Sequence, residues 1–218
     1  LISAENDGAP SHYVENGGDL PMMVVTPHQP VWIGGVSYST WNIPLVKELV
    51  EHIKTSLNVD QDRIYLTGFS NGGQSAWQYA IEYKEDLAAL IPVAGRTNLT
   101  NQSLYGMNLQ DPEYACQISD LPINVWHSFN DEVINIGHAT SMVESINNCI
   151  PAPDPTPQLH ILSGVSHGGT RPAVYGNISG PDNIYNWMLS YVRGVGFTDT
   201  DPPVFVNGTP SVDNLLDV

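Results

Sequence analysis

Arg63-Ile64-Tyr65-Leu66-Thr67-Gly68-Phe69-Ser70-Asn71-Gly72-Gly73 is the stretch on which the reading of this chain turns. Its first half is β-branched and apolar and ends in glycine, which predicts a buried strand over 63–68. A run of helical character follows from about Gly72 to Tyr83. Gly68, Ser70 and Gly72 spell G-x-S-x-G at the join. The pattern is weak alone and informative in this setting. A serine on a tight strand-to-helix turn lifts its hydroxyl above the carboxyl edge of a sheet, where it can act as a nucleophile. The small residues two before and two after Ser70 are expected to let the backbone come close. The new helix turns its positive end toward a developing oxyanion, with the backbone N–H of Asn71 as one donor. The plainer reading is a Gly-rich turn with an N-capping serine.

Upstream, Pro21-Met22-Met23-Val24-Val25-Thr26 reads as a buried strand. Val46, Leu49, Val50, Ile53 and Leu57 mark one face of a helix, with Asn42 as N-cap and Pro44 in its first turn. Downstream, Leu87 to Val93 is apolar, but Pro92 cannot donate to a ladder, so the strand is expected to end or lose pairing there. A polar loop rich in Asn fills 96–120. Ile123 to His127 then reads as a strand, Ala139, Met142, Val143 and Ile146 as a helix, and Gln158 to Leu162 as a strand after the Pro-rich turn at 151–157. The last helix holds Tyr185, Trp187, Met188, Leu189 and Tyr191. Such alternation predicts an α/β fold, a mostly parallel sheet with helices on both faces. The pattern stops at Gly194. Residues 1–193 therefore read as one domain, and 194–218 as an acidic, Pro-containing linker or tail that could lead to a further domain.

A nucleophilic serine needs a histidine within reach and an acid to orient that histidine. On a strand-to-helix elbow the chain order is serine, acid, histidine. Seven histidines compete: His12, His28, His52, His127, His138, His160 and His167. His160 lies inside a strand and His127 at the end of one, where core histidines are common, and His138 reads as part of a helix start. His167 sits in Ser163-Gly164-Val165-Ser166-His167-Gly168-Gly169, a glycine-rich loop just past a strand, and is the favoured base. For the acid, Asp131 is preferred on position, with the adjacent Glu132 as the fallback.

Lys and Arg number 7 against 23 Asp and Glu, a formal net charge of −16. So acidic a surface repels phosphate backbones and anionic headgroups, which argues against nucleic-acid and membrane partners. It suits a soluble protein in a salty or extracellular medium. The length of 218 residues fits one domain. Cys116 and Cys149 lack the C-x-x-C spacing of a zinc site. They read either as one bridge, pinning the segment before a strand to the end of the following helix, or as two buried thiols. No metal or organic cofactor is implied.

Residues 60–73 resemble the elbow region of secreted α/β-hydrolase esterases, among them the polyhydroxybutyrate-depolymerase-like, feruloyl-esterase-like and dienelactone-hydrolase-like groups. His127-Ser128-Phe129-Asn130-Asp131-Glu132-Val133 resembles their H-G-x-x-D-x-x-V acid motif, with Ser128 in place of the usual glycine. Ser166-His167-Gly168-Gly169-Thr170, followed by Tyr185-Asn186-Trp187-Met188-Leu189, resembles the region of their catalytic histidine and final helix. The likeness covers about residues 20–193 and implies an α/β-hydrolase fold with a triad of Ser70, Asp131 and His167. The family's early His-Gly loop, which supplies a second oxyanion donor, has no counterpart before Ser70. The first strands and that loop are therefore expected to lie outside this sequence.

The expected activity is hydrolysis of a small-molecule or polymeric carboxylic ester through an acyl-enzyme, in a secreted or periplasmic protein. A serine peptidase of the same fold and a non-catalytic binding module are the alternatives. Trp32, Trp41, Trp77 and Trp126 could line a cleft, although such residues are more often core.

Overall fold

In the computed structural model, which describes residues 22–27, 32–33, 36–37, 41–100, 106–177, 180 and 182–194, the first paired backbone is a short antiparallel ladder of β1 (Trp32–Ile33) and β2 (Val36–Ser37). Helix α1 (Ile43–Ser56) follows, and Asn42 caps it by accepting the N–H of Leu45 at 3.2 Å. The elements then alternate: β3 (Tyr65–Phe69), α2 (Asn71–Tyr83), β4 (Ala89–Val93), the short α3 (Pro112–Ala115), β5 (Asn124–Ser128), α4 (Gly137–Asn147), β6 (Gln158–Leu162), α5 (His167–Tyr175) and α6 (Ile184–Leu189). Strands β3 to β6 form a parallel sheet in chain order.

Side chains along a strand alternate between faces, and that alternation divides the core. Leu90, Ile123 and Val125 pack with Ile43 of α1, Trp77 and Ala80 of α2, and Met142 and Ile146 of α4. Their neighbours Ile91, Val93 and Trp126 pack with Val174 of α5 and with Ile184, Tyr185 and Met188 of α6. Helices therefore cover both faces. Trp77 and Trp126 are buried and Trp41 packs against the first cluster, so these three belong to the core and not to a cleft wall. The side chain of Trp32, like His12, His28 and the tail from 195 onward, lies outside the described residues.

Pro92 does not end its strand. Gly68 pairs with Pro92 and Phe69 with Val93, so β4 runs through to Val93 on the β3 side. The N–H groups of Leu90 and Ala94 point the other way, to the carbonyls of Pro122 and Trp126 at 2.9 and 2.8 Å. Pro92 falls midway between them, so its missing donor lies on the β5 side, and the β4–β5 ladder is gapped there. A strand can carry proline where only one neighbour goes without.

Other expectations need correcting. Residues 22–27 form no strand, and Met23, Val24 and Val25 are 48, 43 and 43% exposed. An apolar run becomes a buried strand only when a ladder accepts it, and among the described residues none pairs with this one; Pro21 lies outside them. Leu57 is the C-cap of α1 and Tyr191 lies past the end of α6. The loop at 96–120 holds α3, announced by Asp111 and Pro112 as cap and first residue.

Two features fasten the layers. Asp86, whose side chain is 3% exposed, receives Lys47 at 2.5 Å, Lys54 at 3.0 Å and the Tyr79 hydroxyl at 2.6 Å. It thereby ties α1 to α2. Cys116 and Cys149 form a disulfide joining the segment before β5 to the end of α4. With its ends 33 apart in sequence, such a link removes about 3–4 kcal/mol of loop-closure entropy from the unfolded chain.

Candidate active site

Three strands of the sheet deliver one polar side chain each to the same edge. Ser70 follows β3, Asp131 follows β5 and His167 follows β6. Ser70 sits at the N-cap of α2 with φ 58° and ψ −114°, in the left-handed half of backbone space. Holding a non-glycine residue there costs of order 1–3 kcal/mol. The surroundings enforce it: the Ser70 N–H donates to the Val93 carbonyl at 2.9 Å, and the Ser70 carbonyl receives the Gln74 N–H at 2.9 Å.

The glycines around it have unequal duties. A Cβ on Gly68 would collide with the backbone of Gly72. On Gly73 it would lie 2.6 Å from the Val93 carbonyl oxygen, and on Gly95 2.5 Å from the Gly73 carbonyl carbon. On Gly72 it would meet nothing within 4 Å. The expected close approach is thus that of the Gly72 backbone to Gly68, while Gly72 itself has room for a side chain. Gly73 makes a second close approach where α2 crosses the ends of β3 and β4. Asn71 opens α2, which puts its amide nitrogen at the positive end of the helix.

Nε2 of His167 lies 3.0 Å from Oγ of Ser70, and Nδ1 of His167 lies 2.7 Å from Oδ2 of Asp131. The structure thus brings Ser70, His167 and Asp131 into one hydrogen-bonded line. His167 is not in a loop: it is the first residue of α5, capped by Ser166, whose side chain accepts the Gly169 N–H at 3.2 Å. Two glycines and Pro172 conceal that helix in the sequence, although the Ser166 cap marks its start. The imidazole is nearly buried and packs on the Phe69 ring with centroids 4.8 Å apart.

The Asp131 side chain is closed to solvent. Its Oδ1 accepts the N–H groups of Val133 and Ile134 at 2.9 and 2.7 Å. Burial pushes its proton affinity up. The His167 hydrogen bond and the two backbone donors outweigh that and hold the carboxyl below its ordinary range. An ionised carboxylate only accepts, so Nδ1 of His167 carries a proton, and in the neutral imidazole Nε2 is the acceptor for the Ser70 hydroxyl.

Two neighbours were not singled out as site residues. His127 places Nε2 2.8 Å from the Ile134 carbonyl and 3.3 Å from Asp131 Oδ2, so it is a neighbour of the acid as well as a core residue. Ser128 donates its hydroxyl to the Val165 carbonyl, two residues before His167. The signal for Ser128 was its departure from glycine in the acid motif. Glu132, the fallback acid, does not reach the imidazole; its Oε2 accepts the backbone N–H of His167 at 3.0 Å. His138 is the second residue of α4 and its Nδ1 accepts the N–H groups of Thr97 and Asn98, each at 3.3 Å, away from the serine line. His160 stacks on Trp126 inside β6. Among the described residues no group of three or more His, Cys, Asp or Glu side chains is placed to hold a metal.

A parallel sheet wrapped by helices on both faces, with a strained serine between strand and helix, defines an α/β-hydrolase. The chain belongs to the Dienelactone hydrolase family, whose model matches residues 42–178. It is 29% identical over 109 residues to a bifunctional acetylxylan esterase/xylanase from Neocallimastix patriciarum, a stretch covering 47% of this chain and 14% of that protein. It is 34% identical over 53 residues to a proline iminopeptidase from Flavobacterium johnsoniae, covering 24% of this chain and 18% of that one. The matched stretches thus span well under a quarter of either curated relative. Among solved structures, a thermostable esterase superposes with a TM-score of 0.51 at 22% identity over 69% of this chain and 36% of its own. The esterase domain of a Rhodothermus marinus protein does so with 0.51 at 14% identity, over 69% of each chain. These two likenesses concern the fold.

Proposed function

We propose that this chain is a serine carboxylic-ester hydrolase working through an acyl-enzyme, with Ser70 as nucleophile, His167 as base and Asp131 as its orienting acid. The observation that carries the reading is the 3.0 Å separation of His167 Nε2 from Ser70 Oγ, with Nδ1 engaged by a carboxylate. Ser70 Oγ attacks the ester carbonyl carbon while its proton passes to His167 Nε2. The oxyanion is taken by the backbone N–H of Asn71 at the start of α2. The bond to the leaving oxygen then breaks, that oxygen takes the proton from His167, and the alcohol departs. Water repeats the sequence: it gives a proton to His167, attacks the acyl carbon, and the Ser70 oxygen leaves with the proton as the acid is released. Asp131 keeps the imidazole in the required tautomer throughout and offsets the charge on the transient imidazolium.

The family supports hydrolysis, and the likeness to an acetylxylan esterase makes acetyl esters of a polysaccharide the first natural substrates to test. The Cys116–Cys149 bond supports a secreted or periplasmic setting, because disulfides persist in oxidising compartments. The deciding experiment is turnover of p-nitrophenyl acetate by the protein and by Ser70→Ala, with a fluorophosphonate as label. Turnover that disappears with Ser70→Ala, and a phosphonyl group on Ser70 alone, are the expected results. A folded wild type that turns over neither the ester nor the matching p-nitroanilide would favour a binding module. Cleavage of the anilide alone would favour a peptidase.

A further inference from the structure

Three alternate side chains, from the last residue of β5 into the segment after it, grip the backbone of the segment after β6. Ser128 donates to the Val165 carbonyl, Asn130 Oδ1 accepts the Gly164 N–H at 2.8 Å, and Glu132 Oε2 accepts the His167 N–H at 3.0 Å. The main chain adds a fourth bond, from the Phe129 N–H to the Leu162 carbonyl at 2.8 Å. Asp131, lying between Asn130 and Glu132, takes the His167 ring. One short segment therefore holds the histidine at both its ring and its backbone.

We propose that Asn130 and Glu132 are positioning residues for His167, setting where its imidazole stands relative to Ser70. The inference rests on the triad reading above. Gly164, with φ +72°, lies three residues before His167, so the loop leading into α5 relies on bonds from its neighbour to fix the point where the helix starts. Ser166 caps α5 from within, but it is the neighbouring segment that ties the helix start to the acid. Glu132 is exposed and acts here as an acceptor at the first residue of a helix, where a carboxylate is also favoured by the dipole. A shift of the ring by a fraction of an ångström lengthens its bond to Ser70 and slows proton transfer without disturbing substrate binding.

The test compares Glu132→Ala, Glu132→Gln, Asn130→Ala and Asn130→Asp with wild type and Ser70→Ala, measuring kcat and KM on p-nitrophenyl acetate. Each alanine variant is expected to lose about tenfold in kcat, and the double alanine variant about 100-fold, with KM unchanged. Glu132→Gln and Asn130→Asp retain an acceptor oxygen and are expected to stay within about threefold of wild type. Amide hydrogen exchange at His167 should speed up in Glu132→Ala while the strand amides stay protected. If Glu132→Ala does not fold, Glu132→Ser, too short to reach the amide, replaces it. Alanine variants with wild-type kcat, or a Glu132→Gln as impaired as Glu132→Ala, would overturn the positioning role while an inert Ser70→Ala left the triad standing. A fully active Ser70→Ala would instead bring down the triad reading itself.

Discussion

Nε2 of His127 lies 3.3 Å from Oδ2 of Asp131, and neither side chain is open to solvent. The same nitrogen is 2.8 Å from the Ile134 carbonyl, which can only accept, so Nε2 carries the proton of His127. That single N–H is aimed at the Ile134 carbonyl, so Asp131 Oδ2 takes its imidazole hydrogen bond from His167 at 2.7 Å and has His127 as a polar neighbour at 3.3 Å. Under the proposed assignment, His127→Leu removes that N–H dipole from beside the ionised acid and leaves the Ile134 carbonyl without its donor. Losing a hydrogen bond worth about 1 kcal/mol in the acid's immediate surroundings predicts a kcat lower by about fivefold. Steady-state kinetics on p-nitrophenyl acetate check this, and KM should not move. Wild-type kcat in the variant would show that His127 contributes packing only.

The crossing of α2 over the sheet makes a sharp distinction between adjacent glycines. Gly72→Ala meets no atom and sits in the first turn of a helix, so it should leave thermal stability within about 1 kcal/mol of wild type or raise it. Gly73→Ala would press a methyl carbon against the Val93 carbonyl and should cost more than about 2 kcal/mol. Paired melting curves decide the matter. Equal midpoints would mean that the close approach is not as tight as described.

The alternation of β3 to β6 with helices was legible because short, mainly apolar runs bounded by turns alternate with stripes such as Val46 to Leu57 and Ala139 to Ile146. What escaped has specific causes. Residues 22–27 have strand composition, but composition does not reveal whether a partner strand is present. Pro92 looked like a terminator because a sequence does not say to which side a missing N–H would point. Helix α5 was hidden by Gly168, Gly169 and Pro172, three poor helix formers in nine residues. At the site, Ser70, Asp131 and His167 could be named as candidates because motif and chain order constrain them. The bonds from Asn130 and Glu132 to the segment around His167 could not, since they depend on a register between β5 and β6 that no local pattern encodes.

Asp86 is the point where α1 and α2 are pinned. Burial raises the proton affinity of its carboxyl, but Lys47, Tyr79 and Lys54 outweigh burial and hold it below the ordinary value. A carboxyl depressed in the folded state stabilises above its unfolded pKa of about 3.9 and loses that contribution as pH falls through the folded value. Asp86→Asn should therefore cost about 3 kcal/mol at pH 7, with the gap to wild type closing in strong acid. Denaturant titrations at neutral and acid pH measure both limbs. A penalty that persists unchanged at low pH would assign it to packing.

Two histidines give stability the same sense of pH dependence nearer neutrality. Burial holds His127 below its ordinary value against the pull of Ile134 and Asp131. Burial, with the Arg96 charge added, does so for His138. The unfolded chain takes up these protons first, so stability should decline as pH drops from about 6.5 toward the folded-state values. His138→Asn can still accept from Thr97 or Asn98 but does not titrate, and should flatten the slope of melting temperature against pH over that window. An identical slope would mean that His138 is protonated equally in both states.

Cys116 and Cys149 flank everything from the start of β5 to the end of α4, so Asp131 belongs to a covalently closed ring and not to an open stretch of chain. A single nick in the backbone between the two sulfurs would divide the polypeptide without releasing either piece. The piece carrying the carboxylate would stay tethered to the piece carrying its partner across the cut until a reductant arrived.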